Sequence, residues 1–399
     1  MRLRFEQTPE AMSSKTTPIR LLVLQPSPFC NINCDYCYLP DRDSTKRLSK
    51  ETFGRILLRI FDSGLVGERL DIVWHAGEPM ALPLSYYQEI FRTIDETPIP
   101  KIRLRHSIQT NGMLIDDRWC EFIKANQVNI GLSIDGPAFL HDKHRKDRAG
   151  RGTHSSAMRG LECLRRNGVP FHVIAVVTRD SLDHADQIFS FFLEQGVQRV
   201  GFNIEELEGV HETTTVSNAV LEERARAFWT RIYELQERSR GAIRIRELDR
   251  ATNCIAPHGP DAGTRLVNEQ VLPFGIVSID WQGNVSSFSP ELLGIKSMHY
   301  GDFVFGSILK EDLQTIRRSE KFTRVVRDIE AGVKLCEQTC QYFALCGGGA
   351  PSNKYFENGT FVSTESMYCR TTIQMPADVV LAHMEKSLGL DKALPAIGG

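Results

Sequence analysis

Six apolar, β-branched segments alternate with helical patterns in the first half of the chain. The strand-like segments are IRLLVLQP (19–26), LDIVWH (70–75), IRLRHSIQT (102–110), VNIGLSID (128–135), FHVIAVVT (171–178) and QRVGFNI (198–204). Because consecutive βαβ units place their strands parallel, the alternation predicts an α/β fold with a parallel sheet, either barrel-like or doubly wound. Ligands in such folds collect at the carboxyl ends of the strands. We therefore expect functional residues directly after each strand.

The helical segments carry local signals for where they begin and end. In SKETFGRILLRIFDSG, Ser49 can cap a helix that stops at Gly64. Gly168 and Gly196 end two similar patterns. The apolar residues of the first helix recur at helical spacing: Phe53, Ile56, Leu57, Ile60 and Phe61. These signals support the alternation of strands and helices.

The pattern changes in the second half of the chain. A long helix is predicted at about 220–239, and a hairpin around Gly283 and Asn284 within 274–290. A second group of cysteines follows the hairpin. We therefore predict four segments: an N-terminal extension (1–17), a barrel-like core (18–239), a smaller cysteine-rich domain (240–375) and a C-terminal helix or tail (376–399).

Composition narrows the classes of partner and compartment. The net charge is −2, which gives no electrostatic case for nucleic acid or anionic membrane as a partner. No apolar run reaches the roughly 20 residues that span a bilayer, and the first residues lack the apolar core of a secretory signal. We expect a cytoplasmic protein, whose ten cysteines serve metal binding or catalysis rather than disulfide bonds.

Cys30, Cys34 and Cys37 follow the first strand with the spacing C-x3-C-x2-C, and the next cysteine is Cys120. Three thiolates can hold three irons of a [4Fe–4S] cluster and leave the fourth iron without a protein ligand. An open coordination position distinguishes catalytic metal sites from structural ones. A zinc site with a remote fourth ligand and a ferredoxin-like loop are the alternatives.

This spacing, with the aromatic Tyr36 before the last cysteine, resembles the signature of radical S-adenosylmethionine (SAM) enzymes. The resemblance implies a partial (βα)6 TIM-like barrel for residues 18–239. It also implies that SAM chelates the open iron of the cluster at Cys30, Cys34 and Cys37. One electron from the cluster then cleaves SAM to a 5'-deoxyadenosyl radical, which removes hydrogen from a carbon atom. Tyr36 belongs to the same cofactor-binding loop.

Motifs after the next strands resemble SAM-binding elements of the same family. In HAGEP, Ala76 replaces the first glycine of the family's motif, so only Gly77, Glu78 and Pro79 carry over. The resemblance implies that the backbone and the Glu78 carboxylate meet the amino group of SAM. The position of this motif directly after the second strand agrees with the expected site.

Later motifs supply the other implied contacts. In QTNG and SIDGP, Asn111, Ser133 and Asp135 would line the cofactor floor, with Ser133 near the ribose. In HDKHRKDRAGRGTH, Arg145 matches an arginine that pairs with the SAM carboxylate, a role that suits a fork of fixed donors. Taken singly, each motif has a structural alternative, because Asn-Gly and Asp-Gly also form turns and an arginine can simply be solvated.

A second cysteine group resembles the SPASM domain, the auxiliary-cluster module of peptide-modifying radical SAM enzymes. Its spacing is x3, x5 and x22. Four thiolates would close one auxiliary [4Fe–4S] cluster that carries electrons or supports structure. A structural zinc ion is the alternative. The four residues are Cys336, Cys340, Cys346 and Cys369.

The chain departs from a full SPASM pattern. Phe288 stands where the hairpin should end in a cysteine, and Ala350 stands where another cysteine is expected. We therefore predict one auxiliary cluster, not two. Cys120 and Cys163 lie in helical patterns and are expected to be buried as small hydrophobic residues. We expect the same of Cys254.

Three segments resemble the cyclophane-forming peptide maturases of the Grr type, which act on glycine-rich precursors: HDKHRKDRAGRGTH, SFSPELLG and CGGGAPSNKYFENGTFVSTESMYC. The resemblance covers about residues 18–375. It implies a bond from an aromatic ring carbon to the Cβ of a residue two positions downstream in a ribosomally made precursor. It also implies an electron donor such as flavodoxin or ferredoxin. Glu291 is the candidate base by its position beside the hairpin, with a surface carboxylate as the alternative.

Two other hypotheses remain at this stage. A radical SAM/SPASM enzyme could instead form a thioether, an epimer or a sulfatase-type oxidised side chain. Sulfatase-maturing enzymes place an aspartate after the hairpin cysteine, where this chain has Ser289. A non-enzymatic iron–sulfur protein for electron transfer or scaffolding would leave the GEP, QTNG and SIDGP motifs without a role.

Overall fold

A computed structural model describes residues 18–100, 102–216, 219–256 and 267–390. Strands and helices alternate through the first half of the chain, as the sequence predicts. They are β1 (Ile19–Leu24), α1 (Lys50–Asp62), β2 (Val66–Trp74), α2 (Leu84–Glu96), β3 (Arg103–Thr110), α3 (Asp117–Ala125), β4 (Asn129–Ser133), α4 (Ala138–His144), α5 (His154–Arg166), β5 (Phe171–Val177), α6 (Ala185–Glu194) and β6 (Arg199–Ile204).

The second half contains short strands and more helices. They are α7 (Ala219–Arg238), β7 (Arg244–Ile245), α8 (Arg246–Ile255), β8 (Ile276–Ile279), β9 (Asn284–Ser287), β10 (Lys296–Ser297), β11 (Gly301–Asp302), β12 (Gly306–Ser307), α9 (Leu313–Arg318), α10 (Glu320–Thr339), α11 (Phe343–Cys346), α12 (Pro351–Asn358) and α13 (Met375–Ser387). One turn of π-helix, Cys369–Gln374, precedes α13.

One ten-stranded sheet organises the fold. Its order is β12-β9-β8-β1-β2-β3-β4-β5-β6-β7, and β1 to β6 are neighbours in sequence order and run parallel. Parallel strands that neighbour one another in sequence order, joined by helices, are the topology expected of a barrel-like α/β fold. Because all six strands point the same way, the loops that follow them share one edge. The predicted fold class is confirmed.

The local signals identified in the sequence act as expected. Ser49 caps α1 by accepting a hydrogen bond from the Thr52 backbone N–H. Gly168 and Gly196, with φ of 64° and 67°, follow α5 and α6 in the left-handed conformation that glycine adopts without strain. The apolar face of α1 is buried against the sheet through Phe53, Ile56, Leu57 and Ile60.

The C-terminal hairpin extends the same sheet. Strand β8 pairs parallel to β1, and β9 returns antiparallel to β8, with Gly283 at φ 82° in the turn. The predicted hairpin is confirmed. The proposed boundary at residue 240 stays a prediction, and the sheet crosses it. The predicted extension 1–17 and the last part of the tail, 391–399, lie outside the described residues.

Helices cover the sheet and enclose the core. Trp74 at the end of β2 is fully buried and packs edge-on against Tyr87 of α2, with ring centroids 5.5 Å apart. This packing fixes the end of β2, where the first site motif begins. In the described ranges, the helices are too short or too polar for any of them to cross a bilayer.

Candidate active site

The first cysteine loop lies at the carboxyl edge of the sheet. Cys30, Cys34 and Cys37 are all free thiols. Burial, and then the charge of Glu78, raises the pKa of Cys30 to about 12. Burial also raises the pKa of Cys34 to about 12, although Arg145 opposes the rise, and neighbouring thiols contribute to both values. A buried thiolate needs a nearby positive charge. Metal ions supply that charge, and their binding releases the protons of the thiols. The donor set therefore fits an iron–sulfur cluster.

The HAGEP segment packs directly against this loop. Ala76 and Gly77 both have positive φ, 68° and 66°. A Cβ at Gly77 would lie 2.5 Å from the carbonyl oxygen of Phe29, so no larger residue fits there without movement. The Glu78 backbone N–H donates to the same carbonyl at 2.7 Å. Position 77 therefore requires glycine, because its backbone lies against Phe29, the residue before Cys30.

The Glu78 side chain ties two strand ends together. It is 2% exposed and accepts hydrogen bonds from Thr110 Oγ1 at 2.7 Å, the Asn111 N–H at 2.8 Å and the Met80 N–H at 2.9 Å. Burial raises the pKa of Glu78, and these three donors oppose that rise. Pro79 begins the short 3-10 turn that follows. The expected contact between Glu78 and SAM stays a prediction.

Two further polar contacts join the expected cofactor residues. Asn111 donates from Nδ2 to Asn31 Oδ1 in the cysteine loop at 2.7 Å. Ser133, at the end of β4, accepts from Gln109 Nε2 at 2.9 Å. These bonds connect the ends of β3 and β4 with the loop after β1. Asn111 is therefore tied to the cysteine loop, and Ser133 to the end of β3, while their expected contacts with SAM stay predictions.

Asp135 and Arg145 form a buried ion pair beside the cysteine loop. Arg145 donates from Nε and Nη2 to the two Asp135 oxygens, both at 2.9 Å, and Tyr36 donates its hydroxyl to the same carboxylate. Although burial alone would raise it, the pKa of Asp135 lies below its usual value because of Arg145. Arg145 Nη1 lies 4.0 Å from Cys34 Sγ. The expected contact between Arg145 and SAM stays a prediction, and in this structure Arg145 pairs with Asp135.

The second cysteine group lies around α10 and α11. Cys336, Cys346 and Cys369 are buried, Cys340 is partly exposed, and all four are free thiols. Burial raises the pKa of Cys340 and of Cys369, with added contributions from the charges of Cys336 and Cys346. Cys336 and Cys346 are therefore close enough for their charges to act on Cys340 and on Cys369. This arrangement fits a second cluster.

Glycines bring the second cysteine group together. Gly347, Gly348 and Gly349 all have positive φ, at 66°, 112° and 79°. A Cβ at Gly349 would lie 3.6 Å from Cys369 Sγ. Three successive left-handed residues turn the chain sharply after Cys346, a path open to glycine alone. Among the described residues, no three His, Cys, Asp or Glu side chains are arranged to hold a single metal ion.

A polar cavity of about 340 Å³ lies between the loop after β6 and the C-terminal segments. Glu206, Glu208 and Glu291 line it together. Burial, and then the charges of its acidic neighbours, raises the pKa of Glu206 to about 8 and that of Glu208 well above its usual value. Burial also raises the pKa of Glu291, which accepts from Ser289. Burial thus raises the pKa of all three carboxyl groups.

Tyr38 lies between this cavity and the cysteine loop. Burial raises its pKa, and the charges of Glu291, Cys37 and Glu208 raise it further in that order. Its hydroxyl lies 3.2 Å from His75 Nε2, and burial lowers the pKa of His75 to about 4, so the imidazole is neutral. The candidate base Glu291 is therefore close to the first cysteine loop.

Comparison with known proteins defines the family. Residues 24–192 match the Radical SAM superfamily. The chain is 45% identical over 378 residues to the uncharacterised protein sll1766 of Synechocystis sp., covering 94% of each chain. This protein belongs to the radical SAM superfamily. It is an enzyme, and the prediction of a radical SAM enzyme is confirmed.

Other relatives of this radical SAM enzyme match less of its length. It is 32% identical over 203 residues to the serine-type anaerobic sulfatase-maturating enzyme of Klebsiella aerogenes, an alignment that spans half of each chain. Among solved structures, anSMEcpe with bound AdoMet superposes with a TM-score of 0.74 and 20% identity over 93% of this chain and all of that one. Streptococcus suis SuiB bound to its precursor peptide SuiA gives 0.60 and 16%, over 89% and 76%. These structures share the fold.

Some expectations for this radical SAM enzyme need correction. Cys254 is exposed rather than buried, with its sulfur 3.8 Å from the Ala344 carbonyl oxygen. Cys254 lies on the solvent-facing side of α8. The short apolar segment around it did not indicate on which side of the helix it would lie. Cys120 and Cys163 are buried as predicted, with their sulfurs 3.7 Å apart.

The sequence reasoning also missed residues at this site. Glu206 and Glu208 follow the end of β6, so the rule that ligands collect at strand ends could have found them. Lys354 is buried beside Cys336. No local pattern marks it, because its position depends on how α12 packs against α10.

Proposed function

We propose that this radical SAM enzyme is a peptide maturase that joins an aromatic ring carbon to a Cβ atom within a ribosomally made precursor. The observation that carries the proposal is the carboxyl-lined cavity beside the first cysteine loop, with Glu291 on its wall. A peptide substrate is supported by two proteins of the same fold, SuiB bound to precursor peptide SuiA and anSMEcpe bound to the Cp18Cys peptide.

Two cofactor sites follow from the cysteine groups. Cys30, Cys34 and Cys37 would hold the [4Fe–4S] cluster that binds SAM, and the second group would hold one auxiliary [4Fe–4S] cluster. With SAM bound, the first site supplies a 5'-deoxyadenosyl radical, and the second supplies an electron acceptor. A flavodoxin or ferredoxin would supply the reducing electron.

The reaction removes two hydrogens from the peptide for each new bond. One leaves Cβ as a hydrogen atom. After the carbon–carbon bond forms, the ring loses one electron and one proton and becomes aromatic again. The chain must therefore provide a proton acceptor near the ring.

Glu291 is the proposed acceptor of that proton. Its carboxyl group faces the cavity, and burial raises its pKa, which makes it a stronger base than an exposed glutamate. General bases are most effective when their pKa lies near the working pH. Glu206 and Glu208 line the same cavity as Glu291.

Packing at the hairpin supports a single auxiliary cluster. Phe288 is fully buried, with its ring stacked 5.8 Å from that of Phe322 and edge-on to that of Phe305. Ala350 is also buried. An aromatic group therefore fills the space beside the hairpin where further cysteine ligands would be expected.

Oxidation of a sulfatase-type side chain is the second candidate function. The Klebsiella aerogenes relative favours it, since half of this chain aligns with that enzyme. Phe288 and Ser289 at the end of the hairpin oppose it, because this chain lacks both the cysteine and the aspartate expected there. The two functions differ in their products, so one experiment separates them.

Anaerobic co-expression with small open reading frames from beside the gene tests the proposal, and we expect the substrate to be a glycine-rich peptide with spaced aromatic residues. We expect tandem mass spectrometry to show loss of two hydrogens per bond and no fragmentation between an aromatic residue and its partner. A product that fragments normally and carries an oxidised serine or cysteine would favour the second candidate. An unmodified peptide from enzyme that cleaves SAM would refute both choices of substrate.

Glu291→Gln tests the base. Because general bases contribute about 10²–10⁴-fold, we expect crosslinking to fall at least about 100-fold while cleavage of SAM to 5'-deoxyadenosine continues. Glu212→Gln is the matched control, since Glu212 is an exposed carboxylate on the loop after β6 that also carries Glu206 and Glu208. Equal crosslinking by the two variants would contradict the role of Glu291.

A further inference from the structure

A lysine is buried against the second cysteine group. Lys354 on α12 is 2% exposed, and its Nζ donates to Cys336 Sγ at 3.1 Å and to the Gly332 carbonyl oxygen at 3.0 Å. Both acceptors belong to α10. Across the described ranges, no carboxylate lies within ion-pair distance of this ammonium group. Its side-chain partner is a cysteine sulfur.

Removing an ammonium group from water is costly unless a negative charge compensates it. A carbonyl oxygen and a neutral thiol provide little compensation. Four thiolates around a [4Fe–4S] cluster carry a net negative charge and supply the missing counter-charge. The surroundings of Lys354 are therefore those of a cation placed beside an anionic metal cluster.

The glycine turn makes room for this lysine. A Cβ at Gly349 would lie 3.4 Å from Lys354 Cε and 3.6 Å from Cys369 Sγ. The lysine stem thus passes between the glycine turn and α10, close to two of the four cysteines. The contact comes from the same backbone path that gathers the cysteines.

We propose that Lys354 raises the reduction potential of the auxiliary cluster through its charge and its N–H···S hydrogen bond to Cys336. Hydrogen bonds to sulfur and nearby charge are established determinants of cluster potential. A positive charge stabilises the reduced cluster, which carries one more negative charge than the oxidised one. The oxidised cluster then accepts one electron more readily from the crosslinked substrate radical, which is oxidised. This inference rests on the auxiliary cluster of the proposed function.

Pulsed electron paramagnetic resonance on chain labelled with 15N-lysine tests the contact directly. The full chain carries Cys30→Ala, Cys34→Ala and Cys37→Ala, so that only the auxiliary cluster contributes a signal. We expect a 15N coupling in the reduced protein that disappears with Lys354→Met. A reduced cluster signal without 15N coupling would overturn the inference. Absence of iron from this protein would instead refute the auxiliary cluster itself.

A redox titration of the same protein measures the effect on potential. With Lys354→Met, we expect the ratio of reduced to oxidised cluster at a fixed potential to fall at least tenfold, which corresponds to about 59 mV for a one-electron couple. Lys334→Met is the matched control, because Lys334 is exposed on α10 two residues from Cys336. It should change the ratio less than twofold. Lys354→Arg, which keeps the charge, should recover part of the shift. Equal potentials for Lys354→Met and Lys334→Met would contradict the inference.

Discussion

Replacing Glu78 with glutamine removes one acceptor from a buried junction between strands. Glu78 Oε1 accepts from Thr110 Oγ1 and the Met80 N–H, and Oε2 accepts from the Asn111 N–H. Glutamine keeps one oxygen and replaces the other with an NH₂ group. In the orientation that preserves the Oε1 bonds, the Asn111 N–H then faces a second donor.

The expected loss follows from the number of unpaired donors. A buried N–H without a partner costs about 1–3 kcal/mol. We therefore expect Glu78→Gln to lower the free energy of unfolding by about 2 kcal/mol, which moves the urea midpoint by about 1 M for a slope of about 2 kcal/mol/M. Glu78→Ala leaves three donors without their acceptor, and the loss should be at least about 3 kcal/mol.

Urea unfolding followed by circular dichroism measures these losses. Glu68→Gln is the control, because Glu68 is an exposed carboxylate on the same strand, β2. The reasoning is refuted if Glu78→Gln and Glu68→Gln share one midpoint. A normal midpoint together with weakened SAM binding would assign Glu78 to the cofactor alone.

Three further predictions concern buried groups of the site. Arg145→Gln leaves Asp135 buried without its cation, and urea unfolding should show a loss of about 3–5 kcal/mol. Burial raises the pKa of Glu206 from 4.5 to about 8, so the native protein holds a proton that the unfolded chain releases between these pH values. The free energy of unfolding should then fall as the pH rises from about 5 to about 8, by at most about 1.4 kcal/mol per pH unit for one group, and Glu206→Gln should flatten this slope in urea midpoints measured across that range. Phe288→Ala removes a fully buried ring that stacks on Phe322, and thermal unfolding should show a loss of about 3–5 kcal/mol.

Matched variants control these three measurements. Arg151→Gln removes an arginine whose side chain is 79% exposed, and Phe139→Ala removes a ring that is 54% exposed. Each should change stability by less than about 0.5 kcal/mol. Glu212→Gln should leave the pH slope of the wild-type protein unchanged. If a variant of a buried residue and its exposed control had equal effects, burial of the replaced side chain would not determine the loss of stability.

Local sequence signals were sufficient for the order of the elements. The capping serine of α1, the glycines after α5 and α6 and the glycine of the β8–β9 turn act over a few residues, so the sequence displays them directly. Strand β2 begins at Val66, earlier than its apolar run indicated, because half of its first residues face solvent. Parallel pairing then follows from the alternation of strands and helices.

The sequence also showed which cysteines share a loop at the carboxyl edge of the sheet. Closely spaced cysteines must share a loop whatever the rest of the chain does. The implied cofactor roles of Arg145 and Asp135 stay predictions, and in this structure the two residues pair with each other. Nothing within ten residues of either position distinguishes a cofactor contact from an internal ion pair.

The tertiary structure was needed to show which charged side chains, far apart in sequence, are buried together. Glu291 lies more than 80 residues from Glu206 and Glu208, and their raised pKa values come from common burial in one cavity. Lys354 acquires its contact with Cys336 because folding brings its side chain from α12 to α10. Desolvation and charge interactions depend on distance in space and on exclusion of water, which sequence spacing does not specify. The sequence by itself therefore determined the elements, their order and the cysteine groups, whereas folding determined which charges face one another.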